Sequence, residues 1–211
     1  MHRLYYIHDP MCSWCYGFAQ SWRRLRESLP AEVTVIRLLG GLAADNEAPM
    51  STAMRRQVHD NWYRIEQHIP GVRFNHDFWR RCTPRRSTWP ACRAVIAARQ
   101  QGQQYDEAMT RAIQQAYYQQ ARNPSVTDTL LQLASEIGLD TRVFEAALHS
   151  ERTQNTLQQE MSLASELGVY SYPDLRLWSD SDVDDETVKA IDIDYRDAAT
   201  MLTQIKAWLA R

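Results

Sequence analysis

The chain has 211 residues, 44% of them hydrophobic, with 24 Lys and Arg against 26 Asp and Glu. That apolar share is enough for a core, and the length suits one large domain or a compact domain carrying an insertion. A formal net charge of −2 excludes a dedicated nucleic-acid binder, whose footprint is a basic excess, and no apolar run reaches the roughly 18 residues of a membrane span.

The start, Met1-His2-Arg3-Leu4, enters strand-like sequence at once and leaves no room for the apolar region of a secretion signal. A cytoplasmic location is therefore expected, where thiols stay mostly reduced. In that setting the four cysteines read as catalytic, metal-binding or buried thiols rather than a disulfide framework. Leu4-Tyr5-Tyr6-Ile7 is a short aromatic and β-branched strand. Asp9-Pro10-Met11-Cys12-Ser13-Trp14-Cys15-Tyr16-Gly17 follows it, and then Phe18, Trp22, Leu25 and Leu29 fall at helical spacing. The two cysteines thus sit where a strand ends and a helix begins.

Pro30 breaks that helix, Val33 to Leu39 reads as a second, buried strand, and Gly40-Gly41 ends it. Strand–helix–strand predicts a parallel pair with a right-handed crossover. From about Asp45 to about Leu167 the pattern is helical. Segments are predicted from about Ser51 to Gln67, Pro90 to Gln100, Gln104 to Gln120, Thr127 to Ile137 and Glu151 to Leu167. The best of them places Tyr105, Ala108, Met109, Ala112, Ile113, Ala116 and Tyr117 on one stripe. Strand signals return at Leu175 to Trp178 and at Thr187 to Ile193, with the acidic turn Ser179 to Glu186 between them, so a hairpin is predicted. A closing helix runs from Tyr195 to Leu209. The whole reads as a split α/β domain, residues 1–44 plus 168–211, interrupted by a helical insertion over 45–167.

A helix N-terminus offers unpaired N–H groups and partial positive charge, both of which favour a thiolate. Cys12, nearer the helix start, is read as the nucleophile, and Cys15, one turn in, as the resolving thiol. Ser13-Trp14 between them carries no cation, so a mild rather than a strong oxidant is expected. Asp9 opposes thiolate formation if close and ionised, or shuttles a proton. Zinc is the competing reading of the pair. Its second half-site is poor, because nine residues separate Cys82 from Cys92 and His8, His59, His68 and His76 show no ligand spacing. No metal is expected, and Cys82 and Cys92 are read as buried inert thiols with a second redox pair as the alternative. Arg80, Arg81, Arg85 and Arg86 read as a solvated cluster paired with acids, a carboxylate or phosphate grip being the alternative. Trp62, Tyr63, Phe74, Phe78, Trp79 and Trp89 are read mostly as core. Asp180, Asp182, Asp184, Asp185 and Glu186 lack the spacing and turn glycine of a calcium loop.

On the nine-residue cysteine stretch after a first strand, and on Gly168-Val169-Tyr170-Ser171-Tyr172-Pro173 before the third, the chain resembles the DsbA-like thiol–disulfide oxidoreductases of the thioredoxin superfamily. It looks closest to their signal-less cytoplasmic branch that includes FrnE-like proteins. The resemblance implies a thioredoxin-like fold with a large all-helical insertion between the second and third strands. It implies a redox-active Cys12–Cys15 pair needing no dissociable cofactor, with glutathione admitted as a co-substrate. It also makes Pro173 the cis-proline beside the pair, and Ser13, Trp14, Tyr172 and Pro173 the wall that meets substrate. Partners are then protein or small-molecule thiols and disulfides, with neither nucleic acid nor membrane. Ser171-Tyr172 departs from the more usual glycine followed by valine or threonine, so Tyr172 is expected to narrow access or stack on a substrate ring. Kappa-class glutathione transferases and chromene-carboxylate isomerases share the split architecture but use serine where this chain has Cys12. They supply the alternative enzyme class, and a non-catalytic zinc-stabilised or partner-binding module is the third reading.

Overall fold

A computed structural model describes residues 2–179 and 188–210. Its elements run β1 (His2–His8), α1 (Ser13–Ser28), β2 (Val33–Leu39), α2 (Thr52–His68), α3 (Phe78–Arg81), α4 (Trp89–Arg99), α5 (Gln104–Tyr118), α6 (Thr127–Glu136), α7 (Thr141–Leu148), α8 (Glu151–Glu166), β3 (Asp174–Ser179), β4 (Val188–Ile191) and α9 (Ala198–Leu209). The four strands form one sheet in the order β2-β1-β3-β4. β1 and β2 are parallel, in register from His2 opposite Val33 to His8 opposite Leu39, while β3 is antiparallel to both of its neighbours. The thioredoxin-like fold follows from this order.

β1 lies in the middle because both of its faces are apolar. Successive side chains of a strand point to opposite sides. Leu4 and Tyr6 meet Phe18, Trp22 and Leu25 of α1 and Met201, Ile205 and Trp208 of α9, together with Leu175 and Leu177. Tyr5 and Ile7 meet Leu38, Ala164 and Val169 on the other side. The helices from α2 to α8 all lie between β2 and β3, and α4 packs against α5, α6, α7 and α8. It can do so because Ala91, Cys92, Ala94, Val95, Ile96, Ala97 and Ala98 are all buried, so small residues surround most of its circumference. On α5 the predicted stripe is realised by Met109, Ile113, Ala116 and Tyr117. Trp62, Phe74, Phe78 and Trp79 are core as expected, whereas Tyr63 is 47% exposed.

The structure departs from the sequence reading most at three helices. α3 and α7 were not anticipated, one being a single turn and the other two turns long. α9 begins at Ala198 rather than Tyr195, because Asp197 caps it by accepting from the Ala199 amide. Tyr195 instead packs its ring on Trp14 and Phe18. Ser179, predicted to open the turn, instead ends β3, and the rest of the predicted turn with its acidic run falls outside the described residues.

A buried ionic chain ties the helices to the edge strand. Arg37 of β2 reaches Asp106 of α5, Nε to Oδ1, at 2.7 Å as an ion pair. Arg99 of α4 donates to Asp106 Oδ2 at 2.7 Å and to Glu160 Oε1 at 2.5 Å. Glu160 in turn accepts from the Leu39 amide at 2.8 Å. Arg37 also lies 3.0 Å from His8 Nε2. Burial first, and then the charges of Arg37 and Arg99, hold the His8 imidazole well below its ordinary range. His8 is therefore neutral when folded, while the unfolded chain binds a proton below about pH 6.5. Stability is lost as pH falls below that value, by about 1.4 kcal/mol per unit for this group, until the lowered folded value is reached. The raised carboxyls of Asp9 and Glu160 favour folding at low pH and oppose this trend, so the comparison must be differential. Denaturation of the wild type and of His8→Gln between pH 7 and pH 5 should give a shallower slope for the variant; parallel slopes would refute the assignment.

Candidate active site

β1 carries the chain to Asp9, and a turn brings Cys12 to the head of α1. The Cys12 amide donates to the Asp9 carbonyl at 3.1 Å, and the Met11 amide to Asp9 Oδ1 at 2.8 Å. This Asx-type turn leaves Cys12 as the N-cap of α1, with extended dihedrals of φ −80° and ψ 118°. Its carbonyl accepts the first helical bond, from the Tyr16 amide at 3.0 Å. All four cysteines are free thiols. Cys12 is 6% exposed and Cys15 fully buried, which gives the ordering expected of an outer and an inner thiol. Burial, then the neighbouring Cys12 and the Asp9 charge, push the Cys15 thiol well up, while the Asp9 amide partly offsets them.

Across from Cys12 stands the loop before β3. The Tyr172–Pro173 peptide is cis, and the Cys12 thiol donates to the Tyr172 carbonyl at 3.5 Å. The Tyr172 ring lies on Gly40, where a Cβ would stand 2.2 Å from its carbons, so only glycine admits this approach. The Tyr172 hydroxyl donates to the Gly40 carbonyl at 2.6 Å. Burial, followed by the surrounding Asp9 and cysteine groups, pushes that phenol up to about 12. The atom that Tyr172 turns to Cys12 is its carbonyl.

Behind the pair, Asp9 is wholly buried, and among the described residues it is held by hydrogen bonds. Its Oδ2 accepts from the Leu42 amide at 2.8 Å, the Thr88 hydroxyl at 2.6 Å and the Cys92 thiol at 3.5 Å. Burial raises its carboxyl above the ordinary range, and these donors hold the rise back. Burial and the Asp9 charge likewise push the Cys92 thiol well up. Cys92 is buried, as read from the sequence, but it belongs to the Asp9 environment. Cys82 stands elsewhere and donates to the Ala121 carbonyl at 3.0 Å. Among the described residues no group of three or more His, Cys, Asp and Glu side chains could hold a metal ion.

A cavity of about 310 Å³ opens beside Cys12. Ser13, Trp14 and Tyr172 line it, as do Met54, Arg85 and Arg86, whereas Cys15 and Pro173 are buried away from it. The arginine cluster therefore divides. Arg80 pairs with Asp77 on the surface, while Arg85 and Arg86 turn to the cavity, contrary to the expectation of one solvated group. Residues missed in the sequence are Thr88 and Cys92 as partners of Asp9. They lie 79 and 83 positions away from it, and no spacing rule connects them.

Residues 5–200 match a family profile described as thioredoxin. The chain belongs to this thioredoxin family. Its likeness to solved members extends over the whole molecule. A candidate protein disulfide isomerase from Nitrosomonas europaea superposes with a TM-score of 0.82 at 25% identity, over 99% of this chain and 98% of that one. The cytosolic disulfide reductase DsbM from Pseudomonas aeruginosa has the same fold, with a TM-score of 0.75 at 23% identity, over 99% and 98% of the two chains. That protein is also known in a structure with GSH. Among curated sequences, the ClpXP adapter protein SpxH of Halalkalibacterium halodurans is 25% identical over 88% of this chain. The chain spans 61% of that relative's length and 58% of the Bacillus subtilis SpxH. Together these likenesses show a thioredoxin-like fold over the whole chain. Among the described residues no helix is long and apolar enough to cross a membrane.

Proposed function

We propose that the chain exchanges disulfides with small-molecule or protein thiols through Cys12 and Cys15, in the cytoplasm and without a dissociable cofactor. One observation carries the reading: Cys12 caps a helix with its sulfur 3.5 Å from the Tyr172 carbonyl, beside an open cavity and one turn from a second, buried thiol. As the outer thiol of the pair, Cys12 is taken as the attacking group. An extended substrate segment is taken to pair with the Tyr172 backbone, with Ser13, Trp14 and Pro173 completing the wall.

Cys12 thiolate attacks a substrate disulfide, a Cys12–substrate disulfide forms, and the distal substrate sulfur leaves as a thiolate. The Cys15 proton then passes to the Asp9 carboxylate and the Cys15 sulfur attacks the Cys12 sulfur. The Cys12–substrate bond breaks, so the substrate is reduced and the pair oxidised. Run backwards with a thiol such as glutathione, the same steps regenerate the dithiol. The presence of GSH in a structure of the related disulfide reductase supports that choice of co-substrate, and the cytosolic description of that relative supports the location. A glutathione transferase or isomerase working from a serine would have no use for Cys15 as a resolving thiol.

Cys15→Ser protein incubated with glutathione disulfide should accumulate one glutathione adduct, and peptide mapping should place it on Cys12. Wild-type protein should resolve the adduct to an intramolecular disulfide. No adduct, or an adduct on Cys82 or Cys92 alone, would overturn the assignment.

A further inference from the structure

Among the described residues, the charge lining the Cys12 cavity is all of one sign: Arg85 and Arg86 contribute to its wall, and no Asp, Glu or Lys does. A chain with a net charge of −2 has no compositional reason to build such a cavity. Neither guanidinium makes an ion pair or side-chain hydrogen bond among the described residues, although both arginines are half-buried. A half-buried guanidinium has given up part of its hydration, and an incoming carboxylate restores what it lost.

The segment bearing them is also anchored. The Pro84 carbonyl accepts from the Met50 amide at 2.7 Å, and Arg85 forms a β-bridge with Pro49. Ser87 accepts from the Asn46 amide at 3.2 Å. Thr88 accepts from the Ala43 amide at 3.0 Å and donates to Asp9 at 2.6 Å. The arginines thus stand on backbone strapped to the carboxyl under the cysteine pair, at a fixed place relative to Cys12. Such preorganisation lowers the cost of ordering them when a ligand binds.

We propose that Arg85 and Arg86 form a carboxylate-binding wall that selects small thiols and disulfides bearing carboxylates for exchange at Cys12; the proposal rests on the exchange reading above. The cavity, at about 310 Å³, lies at the small end of the roughly 300–1,000 Å³ typical of small-molecule sites. That size fits a thiol of short-peptide dimensions such as glutathione, whose carboxylates flank its sulfur. A folded protein loop would have to engage the rim instead.

Two measurements on the wild type and on Arg85→Gln/Arg86→Gln test it. The first is the rate at which glutathione, relative to neutral 2-mercaptoethanol, reduces the oxidised protein. The second is the rate at which anionic iodoacetate, relative to neutral iodoacetamide, alkylates Cys12 in the reduced protein. The anionic-to-neutral ratio should fall about tenfold in the double variant in both assays, the scale of a lost charge-assisted contact. In the wild type the ratio should fall as salt is added. Ratios within about twofold of the wild type would overturn the arginine assignment, since a charge-assisted contact is worth more than that. If the wild type exchanges with neither thiol, the exchange reading itself fails, and the alkylation ratio still decides the arginines. Should the double variant not fold, each single glutamine variant carries the same comparison, and no fall in either overturns the proposal.

Discussion

Replacing Asp9 with asparagine is expected to slow resolution of the Cys12 mixed disulfide by about 10²-fold or more, the low end of what a positioned general base contributes. Cys15 is fully buried, and burial is the main reason its thiol holds its proton. It must lose that proton to attack. Asp9 is the carboxyl whose charge acts on Cys15, and burial has raised it above the ordinary carboxylate range, which makes it a better proton acceptor. An amide at this position cannot accept the proton. It also places an NH₂ group among donors, because the Met11 amide, the Leu42 amide and Thr88 all point at the present carboxylate. One lost acceptor there costs about 1–3 kcal/mol of stability, so melting is measured alongside the rate. Ellman's reagent separates the steps, because attack by Cys12 releases one chromophoric thiolate and resolution by Cys15 releases the second. In the wild type the second phase should quicken as pH rises through the raised Asp9 value, since only the ionised carboxyl accepts a proton. The variant should lose that limb and slow mainly in the second phase. An unchanged second phase would remove Asp9 from the mechanism.

What could be seen in advance follows from how locally each feature is encoded. β2 was legible to the residue, because Val33 to Leu39 is a β-branched and leucine run closed by Gly40-Gly41. The cysteine pair announced itself because strand, turn and helix start all lie within a dozen residues. α7 went unread although Asp140 caps it with bonds to two amides; its eight residues carry too little periodicity to stand out beside longer neighbours. The environment of Asp9 is a different matter. Leu42, in the loop after β2, and Thr88 and Cys92, at the start of α4, converge on one oxygen of Asp9, and only the tertiary fold brings these two segments there. Tyr172 was noticed as a departure from the family pattern, yet its commitment to Gly40 was hidden. The two are 132 positions apart, and a glycine after a strand reads first as a turn. The same holds for the split of the arginine cluster. Sequence places four arginines within seven residues, and only the strap from Ala43 to Met50 decides which two face the Cys12 cavity.

The largest expected loss of stability lies at Asp106. This carboxylate is 2% exposed and stands between the guanidiniums of Arg37 and Arg99. Removing one member of a buried ionic group leaves the others desolvated and unpaired, at about 3–5 kcal/mol. Asp106→Ala would leave Arg99 with Glu160, and Arg37 with uncharged neighbours, namely the His8 ring, the Thr110 hydroxyl and the face of Tyr6, among the described residues. Against a typical total of about 5–15 kcal/mol, the variant should be marginally folded. A surface pair supplies the contrast. Arg80 and Asp77 are ion-paired one turn apart, with side chains 78% and 45% exposed, and solvent screening leaves such pairs little weight in stability. Denaturant unfolding of Asp106→Ala and Asp77→Ala should therefore differ by several-fold in the stability lost. Equal small losses would mean that the chain from Arg37 to Glu160 is solvated and clamps nothing. The consequence reaches the site, because Glu160 ends that chain on the Leu39 amide, next to the Gly40 on which Tyr172 rests. A destabilised but folded Asp106 variant should thus lose exchange activity faster than its melting curve alone accounts for, as the Tyr172 carbonyl loses its fixed place opposite Cys12.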